Sequence, residues 1–503
     1  MHATAETENL PCVVQKYGGT SIGTAERLLN VAKIVKSSLN TNRVIVVLSA
    51  MSSQKKVEGT TSRLLEAAHE ALTPNSNRYL DIIDKIEQDH VKAVRLAVDS
   101  ADIRAGVEVD VKHECKTLKQ FLGAAEIIDE ISPRSRDIIV SVGEKLSARI
   151  FTAVLQSQGV DAGYVNLEKV VDRQFDEKSL DHTFYQYLTQ RLASSIRECP
   201  NQVPVVTGYF GPVPGSLLNT IGRGYTDLTA ALIAVAVDGT ELQIWKEVDG
   251  IFTADPRKAP KAKLLAKISP EEASELTYYG SEVIHPFTME QVIRARIPIR
   301  ILNTFRPEGA GTVILPPGMF MDGKMIKSYS SNGTSNGSNG ASANKKPRSE
   351  KYPTAVTIKD NVTVINVHSN RKSVSHGFFA SIFTTLDKFG IVVDLIATSE
   401  VHVSMALGHN VHDTKLELAI AELQAHGIVD VIKDLAILSL IGQLKHMIGI
   451  ASRMFTVLAK HGVNIEMISQ GASEINISCV IQAKDAQFAI SAVHDEIILA
   501  DQE

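Results

Sequence analysis

Short apolar runs alternate with longer amphipathic segments over the first part of the chain. The short runs are rich in β-branched residues and predict strands at Val13–Val14, Val44–Leu48, Ile138–Val142, Val203–Thr207 and Leu242–Trp245. Helical periodicity lies between them, at Thr24–Lys36, Lys145–Gln158 and Asp227–Val237. Near-continuous apolar strands are typical of a mostly parallel sheet buried on both faces. The alternation therefore predicts an α/β sandwich.

Residues 72–132 are predicted to form an inserted helical lobe, because their apolar residues recur at helical spacing. One stripe consists of Tyr79, Ile83, Ile86, His90 and Val94, and a second consists of Leu118, Phe121, Leu122, Ala125 and Ile128. We expect His90 and His113 to be ordinary helix residues and not metal ligands.

The last part of the chain contains an internal repeat, preceded by a segment rich in Ser, Asn and Gly. Low apolar content predicts a linker at residues 326–352, since such a segment buries too little surface to offset its ordering entropy. Phe383 matches Phe455 and Gly390 matches Gly462, both at a shift of 72 residues. Each copy reads as strand, helix, glycine turn, two strands and helix, which predicts a tandem pair of small domains.

Composition excludes several classes of protein. The 503 residues are 44% hydrophobic, as in a globular protein, and 52 Lys and Arg against 57 Asp and Glu leave a net charge of −5. So mild a balance predicts neither a nucleic-acid partner nor a membrane surface partner. The four cysteines are scattered, which argues against a disulfide framework and a zinc site. With no signal peptide and no apolar run of about 20 residues, we expect a soluble cytoplasmic protein.

A glycine turn after the first strand is the first candidate site. The chain has neither a Walker A motif nor GxGxxG, but Lys16 ends a strand and is followed by Gly18, Gly19, Thr20 and Ser21. Glycines allow backbone amides to approach phosphate oxygens, hydroxyls add donors, and Lys16 supplies positive charge. An ordinary strand-to-helix turn with a solvated lysine is the alternative.

Two further motifs carry charged residues near predicted helix starts. Glu144 is expected just past the strand Ile138–Val142, in the first turn of a helix, where it could accept from an ammonium or simply favour the helix dipole. Arg223 lies in a Gly-Arg-Gly loop and could bind a carboxylate. Asp227 could orient Lys16 or act only as a residue near a helix cap.

The segment from Trp245 to Arg257 contains two turn signals, Asp249-Gly250 and Asp255-Pro256. Phe252, between them, would be an exposed aromatic that could contact an adenine, with Arg257 near phosphates. A plain surface loop is an equal alternative on physical grounds.

Taken together, the motifs resemble aspartate kinase, a branch of the amino-acid kinase family. KYGGTS, SVGEKLSA, GRGYTDLTAAL, VDGIFTADPR and YYGSEVIHP occur in that family's order and spacing, and the repeat resembles its two ACT domains. The resemblance implies an αβα sandwich of amino-acid kinase type at residues 10–320. It also implies two ferredoxin-like βαββαβ ACT domains, at 353–427 and 432–503.

The resemblance implies phosphorylation of the L-aspartate β-carboxylate by MgATP, in which Mg²⁺ travels with ATP and no dedicated protein metal site exists. The nucleotide contacts implied are Lys16, Gly18, Gly19, Thr20, Ser21, Lys246, Phe252, Asp255 and Arg257. The substrate contacts implied are Thr61, Glu144 and Arg223, and Asp227 would organise Lys16.

Some residues depart from the pattern of many bacterial relatives. Lys246-Glu247 replaces Thr-Asp, and Glu282 replaces a lysine, so that nucleotide contact does not carry over; Lys246 could restore the charge. The combination resembles the fungal form of the enzyme. His285 could approach the active site or serve only as a helix-start residue.

The ACT pair implies regulation by an amino acid, with threonine favoured, and a homodimer or higher oligomer. The effector contacts implied are His376, Gly377, Phe378, Asp394, Thr398, Ser399, Asn464 and Asn476. Two alternatives remain open: a non-catalytic amino-acid sensor on a degenerate kinase domain, and a related kinase acting on glutamate, carbamate or UMP.

Overall fold

The computed structural model describes residues 10–52, 58–173, 175, 182–211, 213, 215–220, 224–279, 284, 286–317, 319–321, 324–325, 353–369, 377–399, 401–408, 411–445 and 447–500. The predicted linker 326–352 and the candidates Arg223, Glu282, His285 and His376 lie outside these residues. The chain divides into two compact units. The first comprises 1–250, 266–270 and 284–319, and the second comprises 251–265, 271–283 and 320–503.

The first unit is built on an eight-stranded sheet. Its strands are β1 (Cys12–Tyr17), β2 (Arg43–Leu48), β3 (Ala162–Val165), β4 (Val203–Thr207), β5 (Glu241–Lys246), β6 (Lys267–Ile268), β7 (Ile299–Asn303) and β8 (Thr312–Ile314). Its helices are α1 (Ala25–Ser38), α2 (Thr60–Glu70), α3 (Arg78–Ala97), α4 (Ala101–Ile128), α5 (Pro133–Ser157), α6 (His182–Arg197), α7 (Leu217–Thr220) and α8 (Tyr225–Ala236). Then follow α9 (Pro270–Tyr278), which lies in the second unit from Glu271 onward, and α10 (Pro286–Arg294).

The predicted α/β class is confirmed. The strand order is β3-β4-β2-β1-β5-β7-β8-β6, and every pairing is parallel except β7 with β8. Alternate residues of β2, namely Val44, Val46 and Leu48, join one core with residues of α1, α3 and α5. The intervening Ile45 and Val47 are equally buried, as expected where α8 covers the other face.

One predicted strand is wrong. Ile138–Val142 lies inside α5, a helix that begins at Pro133 after Ser132, whose side chain accepts a hydrogen bond from the amide of Ser135. Every residue from Ile139 to Ala148 is buried. This part of the helix therefore has no exposed polar face from which helical periodicity could be recognised in the sequence. A short apolar run does not distinguish a buried helix from a buried strand, and only the Ser-Pro start signal favoured the helix.

The segment predicted as a helical insert is helical, with α3 and α4 inside it. Tyr79, Ile83, Ile86, His90 and Val94 all face inward on α3, as their spacing predicted. On α4 the stripe holds at Leu118, Leu122 and Ala125, but Ile128 is 70% exposed because the helix ends there, before a left-handed Asp129. The predicted stripe therefore does not hold at the last residue of the helix.

The second unit carries a six-stranded antiparallel sheet. That main sheet is formed by β11 (Ala355–Ser369), β12 (Val393–Thr398), β13 (His402–Leu407), β14 (Gly427–Ile441), β15 (Ile465–Ser469) and β16 (Asn476–Gln482). Two short strands of this unit, β9 (Phe320–Met321) and β10 (Lys324–Met325), pair with each other outside the main sheet. Its helices are α11 (Phe378–Lys388), α12 (Asp413–Leu423), α13 (Ile450–Lys460) and α14 (Ala486–Val493), and a π-helical turn follows at His494–Leu499. The main sheet has the order β12-β13-β11-β14-β16-β15.

The internal repeat is visible in the backbone. Gly377 and Gly449 precede α11 and α13 with φ of 83° and 84°, a left-handed conformation that favours glycine. Both helices span the same positions of the repeat, and each is followed by two strands and a helix. The predicted order of elements in each copy is therefore confirmed.

Two of the hydrophobic clusters on this sheet contain the helices of the two repeats, and the chain passes from one cluster to the other inside its long strands. Ile365, Val367 and residues of α11 and α12 form one cluster. Val356 and Ile358, from the first half of β11, belong instead to the other cluster, with α13 and α14. They pair with the second half of β14, and the register shifts after Lys359. The start of the segment that we assigned to the first ACT unit thus packs with the second.

Candidate active site

A buried ion pair lies at the carboxyl end of the central strand. Lys16 is the penultimate residue of β1, which is held between β2 and β5, and its Nζ lies 2.7 Å from Asp227 Oδ1. The two side chains are only 10% and 12% exposed. Asp227 stands in the first turn of α8, so the sheet and a helix fix the two partners independently. The predicted pairing of these residues is observed in the geometry.

The glycine turn that follows β1 lies tightly against the loop after β2. A Cβ on Gly19 would lie 2.1 Å from the carbonyl oxygen of Ala50, so only glycine fits there. A Cβ on Gly18 would lie 3.8 Å from Lys16 Nζ and 4.0 Å from Thr20 Oγ1, which leaves space between an ammonium and a hydroxyl. An anion placed there would lie beside the Lys16 ammonium.

The hydroxyls of this turn contact a carboxylate that our sequence reasoning gave no role. Thr20 Oγ1 donates to Glu247 Oε1, and Ser21 Oγ donates to the same oxygen at 3.1 Å. Glu247 directly follows β5, and Lys246 is its last residue. The signal was present in the sequence, since Lys246-Glu247 is the pair that departs from many bacterial relatives.

Glu144 occupies a different structural position from the predicted one. It lies in the middle of α5 and not in a first helical turn, and it is fully buried. Its Oε1 accepts a hydrogen bond of 2.5 Å from the Tyr225 hydroxyl, while its buried Oε2 has no hydrogen-bond partner among the described residues. Burial raises the pKa of Glu144 to about 7, against the lowering effects of the Tyr225 hydrogen bond and of the backbone amides of Glu144 and Ala50.

The first turn of α8 joins these two clusters. Tyr225 contacts Glu144 and Asp227 contacts Lys16, two residues apart on one helix. From the other side, Ala50 lies against both Gly19 and Gly143, since a Cβ on Gly143 would lie 2.6 Å from Ala50 Cβ. The ion pair, the glycine turn and the buried carboxylate therefore form one site at the ends of β1 and β2.

Two neighbouring segments complete this part of the first unit. Asp137, 1% exposed, accepts hydrogen bonds from Ser216 Oγ at 2.7 Å and the Leu217 amide at 2.6 Å. This contact anchors the start of α7, the helix that precedes the Gly-Arg-Gly motif. Thr61 is partly exposed in the first turn of α2, next to Thr60, whose methyl lies 3.3 Å from the position of a Cβ on Gly143.

The remaining predicted nucleotide residues belong to the second unit. Phe252, Asp255 and Arg257 lie in the segment 251–265, where Phe252 forms an antiparallel bridge with Leu264. Arg257 is 89% exposed and forms a two-pronged ion pair with Asp255, with Nη2 to Oδ2 at 2.8 Å. That arginine holds the pKa of Asp255 below its usual range.

The predicted effector residues that the structure describes have different surroundings. The Asp394 side chain, 5% exposed, pairs with Lys359 Nζ at 2.7 Å and accepts from Tyr278 Oη at 3.2 Å. Asn476 donates to Glu275, so it too contacts α9. Phe378 is buried in the apolar cluster of its repeat. Gly377 has open space at its Cβ position, and Thr398, Ser399 and Asn464 are exposed.

Three comparisons with known proteins agree with this geometry. The sequence profile of the amino acid kinase family matches residues 11–303, and an ACT domain profile matches residues 438–497. Fold and profiles together define a kinase of the amino acid kinase family that carries an ACT region. The enzyme class follows from this match and from the curated relatives.

Those relatives narrow the family. Aspartokinase of Schizosaccharomyces pombe is 50% identical over 97% of this chain and 92% of its own, and that of Saccharomyces cerevisiae is 49% identical over 97% and 92%. The crystal structure of E. coli aspartokinase III in complex with aspartate and ADP is similar at a TM-score of 0.74 and 27% identity, covering 97% of this chain and 100% of that one. The chain belongs to the aspartokinases.

No helix among the described residues is long and apolar enough to cross a membrane. The four cysteines are free thiols. Burial raises the pKa of Cys115 and of Cys479 to about 12, so neither is a reactive thiolate at neutral pH.

Proposed function

We propose that this kinase transfers the γ-phosphoryl group of ATP to the β-carboxylate of L-aspartate, giving 4-phospho-L-aspartate and ADP. An oxygen of the β-carboxylate attacks the γ-phosphorus, and the bond to the β-phosphate oxygen breaks. The carboxylate is already an anionic nucleophile, so the reaction needs no strong base. Positioning and charge neutralisation carry the catalysis.

The observation that best supports an amino-acid substrate is the orphaned oxygen of Glu144. A fully buried carboxylate with an unpartnered oxygen is costly, and a ligand ammonium would satisfy it. Tyr225 holds the other oxygen, so the carboxylate is fixed before a ligand arrives. We assign Glu144 to the substrate ammonium, and Arg223 and Thr61 to its carboxylate groups on the strength of the family resemblance.

Lys16 and Asp227 are the proposed catalytic pair. The Lys16 ammonium would neutralise the phosphoryl group during transfer, and the carboxylate of Asp227 keeps it oriented from 2.7 Å away. Gly18 leaves room for a phosphate oxygen beside Lys16, whereas Gly19 packs against the Ala50 carbonyl oxygen. Gly19, Thr20 and Ser21 are assigned to the nucleotide on the family resemblance, and the two hydroxyls would have to leave Glu247 in order to donate to a phosphate. Lys246, Phe252, Asp255 and Arg257 are the further nucleotide residues that the resemblance implies.

The side chains at this site are of the chemical types that bind ATP and Mg²⁺. Hydroxyls of Thr20 and Ser21 and the carboxylate of Glu247 are hard oxygen ligands of the class that Mg²⁺ prefers. Among the described residues, no group of three or more His, Cys, Asp or Glu side chains could hold a metal on its own. Mg²⁺ bound to the triphosphate would lower its negative charge during transfer.

Regulation is proposed through the ACT domains, with boundaries at 353–427 and 432–503 after a kinase domain at 10–320. Threonine is the proposed effector, in the first step of the pathway to threonine, methionine and isoleucine, and the protein is proposed to be cytoplasmic and homo-oligomeric. E. coli aspartokinase III has been crystallised with lysine and aspartate, which supports an amino-acid effector in this family. An ammonium that reached Asp394 would have to compete with Lys359.

A hydroxamate assay with aspartate and ATP tests the activity, with and without threonine. Trapping of aspartyl hydroxamate above a no-ATP blank is expected for the full chain and not for Lys16→Ala. Glutamate, carbamate and UMP replace aspartate in parallel reactions that are followed by ADP release, because phosphorylated UMP is not trapped by hydroxylamine. A purified chain that binds an amino acid but yields no aspartyl hydroxamate would be the sensor of the alternative hypothesis.

A further inference from the structure

Residues 251–265 form a loop that contacts the C-terminal part of the chain through hydrogen bonds and apolar packing. Its ends are joined by the Leu265 amide to the Ile251 carbonyl at 2.8 Å, and the Thr253 amide donates to the Lys263 carbonyl at 2.9 Å. Ala254 and Ala259 are buried in the apolar cluster of α13 and α14. The amide of Val356, on β11, donates to the Thr253 carbonyl at 2.8 Å. All of these residues belong to the second unit.

A series of polar contacts also joins this loop to His494 and Asp495. Thr253 Oγ1 lies 2.9 Å from His494 Nε2, and the two residues are 1% and 0% exposed. His494 Nδ1 lies 3.2 Å from Asp495 Oδ1, and the other oxygen of Asp495 pairs with Lys261 Nζ at 2.7 Å. Thr253 and Lys261 are both in the loop, so the contacts leave the loop, pass through two consecutive C-terminal residues and return to it.

The donors and acceptors of this series of contacts are consistent with one tautomer. Thr253 Oγ1 accepts from the Lys263 amide at 2.9 Å, which leaves its hydroxyl hydrogen free to donate to His494 Nε2. Nδ1 then carries the proton and donates to the carboxylate of Asp495. The contact with His494 thereby gives the buried Thr253 hydroxyl a hydrogen-bond partner.

The same loop carries the residues proposed to meet the nucleotide. Arg257 is 89% exposed, and Lys258 beside it is held by Asp360 at 2.6 Å. A loop that is held in place at Thr253 and exposed at Arg257 can present its side chains to a ligand in a fixed orientation.

We propose that His494 is a positioning residue for nucleotide binding, acting through Thr253 on the loop that carries Phe252, Asp255 and Arg257. The inference rests on the proposed nucleotide role of that loop. It assigns a function to a buried C-terminal histidine far along the chain from every kinase motif. It also means that the nucleotide loop is built into the same compact unit as the ACT repeat, so its orientation depends on the packing of that unit.

Matched substitutions isolate the contact. His494→Asn and Thr253→Val each remove the hydrogen bond, whereas His494→Gln places an amide oxygen close to the former Nε2, and Thr253→Ser keeps the hydroxyl. We expect His494→Asn and Thr253→Val to weaken MgATP binding about tenfold, equivalent to about 1.4 kcal/mol. The double variant should be no weaker than the worse single variant, since both remove the same bond. His494→Gln and Thr253→Ser should restore affinity to within about threefold of the wild type.

Direct titration of the full chain with MgATP and separately with aspartate provides the readout, alongside KM and kcat for both substrates. Aspartate binding should be unchanged in every variant. His461→Asn is the matched control, because the described partners of His461, Glu496 at 2.6 Å and the Phe488 ring, lie in the same unit but outside the loop. If His494→Asn fails to fold, the exposed Lys261→Ala, which removes the Asp495 ion pair, tests the same series of contacts.

Two results separate this inference from the proposed function. MgATP binding that is the same in all variants, or weakened equally by His461→Asn, overturns the positioning role even if the wild type phosphorylates aspartate. Wild-type protein that binds MgATP but does not phosphorylate aspartate refutes the proposed function, while a selective loss of MgATP affinity in His494→Asn would still support the positioning role.

Discussion

Replacing Glu144 by glutamine should stabilise the free protein while abolishing its affinity for substrate. Glu144 is fully buried, and burial raises its pKa from 4.5 to about 7. Because the folded-state pKa is the higher one, the folded carboxyl binds a proton more tightly than the unfolded carboxyl. This group therefore lowers the free energy of unfolding progressively as pH rises from its unfolded pKa through about 7.

The magnitude follows from the same values. A rise from 4.5 to about 7 corresponds to a cost of about 3 kcal/mol at pH 8, since a tenfold change in a protonation constant is worth about 1.4 kcal/mol. Glutamine removes the charge and keeps an oxygen for the Tyr225 hydroxyl, but its amide group adds a donor without a partner, which costs about 1 kcal/mol. We expect Glu144→Gln to be about 1–2 kcal/mol more stable than the wild type at pH 8, and not more stable at pH 5.

Denaturant titration of the ligand-free protein at both pH values measures this difference. The single tryptophan, Trp245, is 4% exposed on β5 and reports on the first unit by fluorescence. In parallel, aspartate should raise the melting temperature of the wild type but not of Glu144→Gln, and KM for aspartate should rise at least about 100-fold because a charged hydrogen-bonded pair is lost. A variant that is destabilised equally at both pH values, or that keeps its aspartate affinity, would refute the reasoning.

Three further predictions concern the same site. Lys16→Ala should lower kcat by about 1,000-fold or more with an unchanged circular dichroism spectrum, because it removes the ammonium proposed to neutralise the transferring group; appreciable turnover would contradict that role. Tyr225→Phe removes a side-chain donor to Glu144 and should move the pH dependence of aspartate KM to higher pH, with the ionised form of Glu144 still the binding form; an unmoved profile would count against it. Gly19→Ala should destabilise the protein by about 2 kcal/mol or more in denaturant titration, since its Cβ would lie 2.1 Å from the Ala50 carbonyl oxygen; a neutral substitution would show that the turn adapts.

The order of the motifs predicted much of the site. Hydrophobic periodicity, in contrast, gave the wrong secondary structure for the buried segment Ile138–Val142 of α5. Lys16 and Asp227 were paired from sequence, and the structure places them 2.7 Å apart. The strands β1, β2, β4 and β5 were found because their apolar runs are short and lie between turn signals. Glu144 was found by motif, but its position was wrong because α5 is buried on all sides there.

Contacts between distant segments could not be read from local patterns. Glu247 contacts Thr20 and Ser21 across more than two hundred residues, and nothing in its own neighbourhood indicates which hydroxyls it will meet. The same holds for Thr253 and His494, which lie 241 residues apart. Sequence spacing fixes which residues share a helix face or a strand face, but sheet order and helix packing decide which faces meet.

The burial that hid Glu144 from periodicity is also what suits it to its proposed role. A carboxylate on a solvated helix face would have an ordinary pKa and would bind an ammonium weakly, against competing water. Placed in the fully buried turn of α5, with one oxygen held by Tyr225 and the other without a described partner, it makes the free protein less stable and the liganded protein more so. The free-energy cost of that unsatisfied oxygen is removed only when a cation binds. Affinity for a substrate ammonium is therefore gained at the expense of the stability of the ligand-free protein.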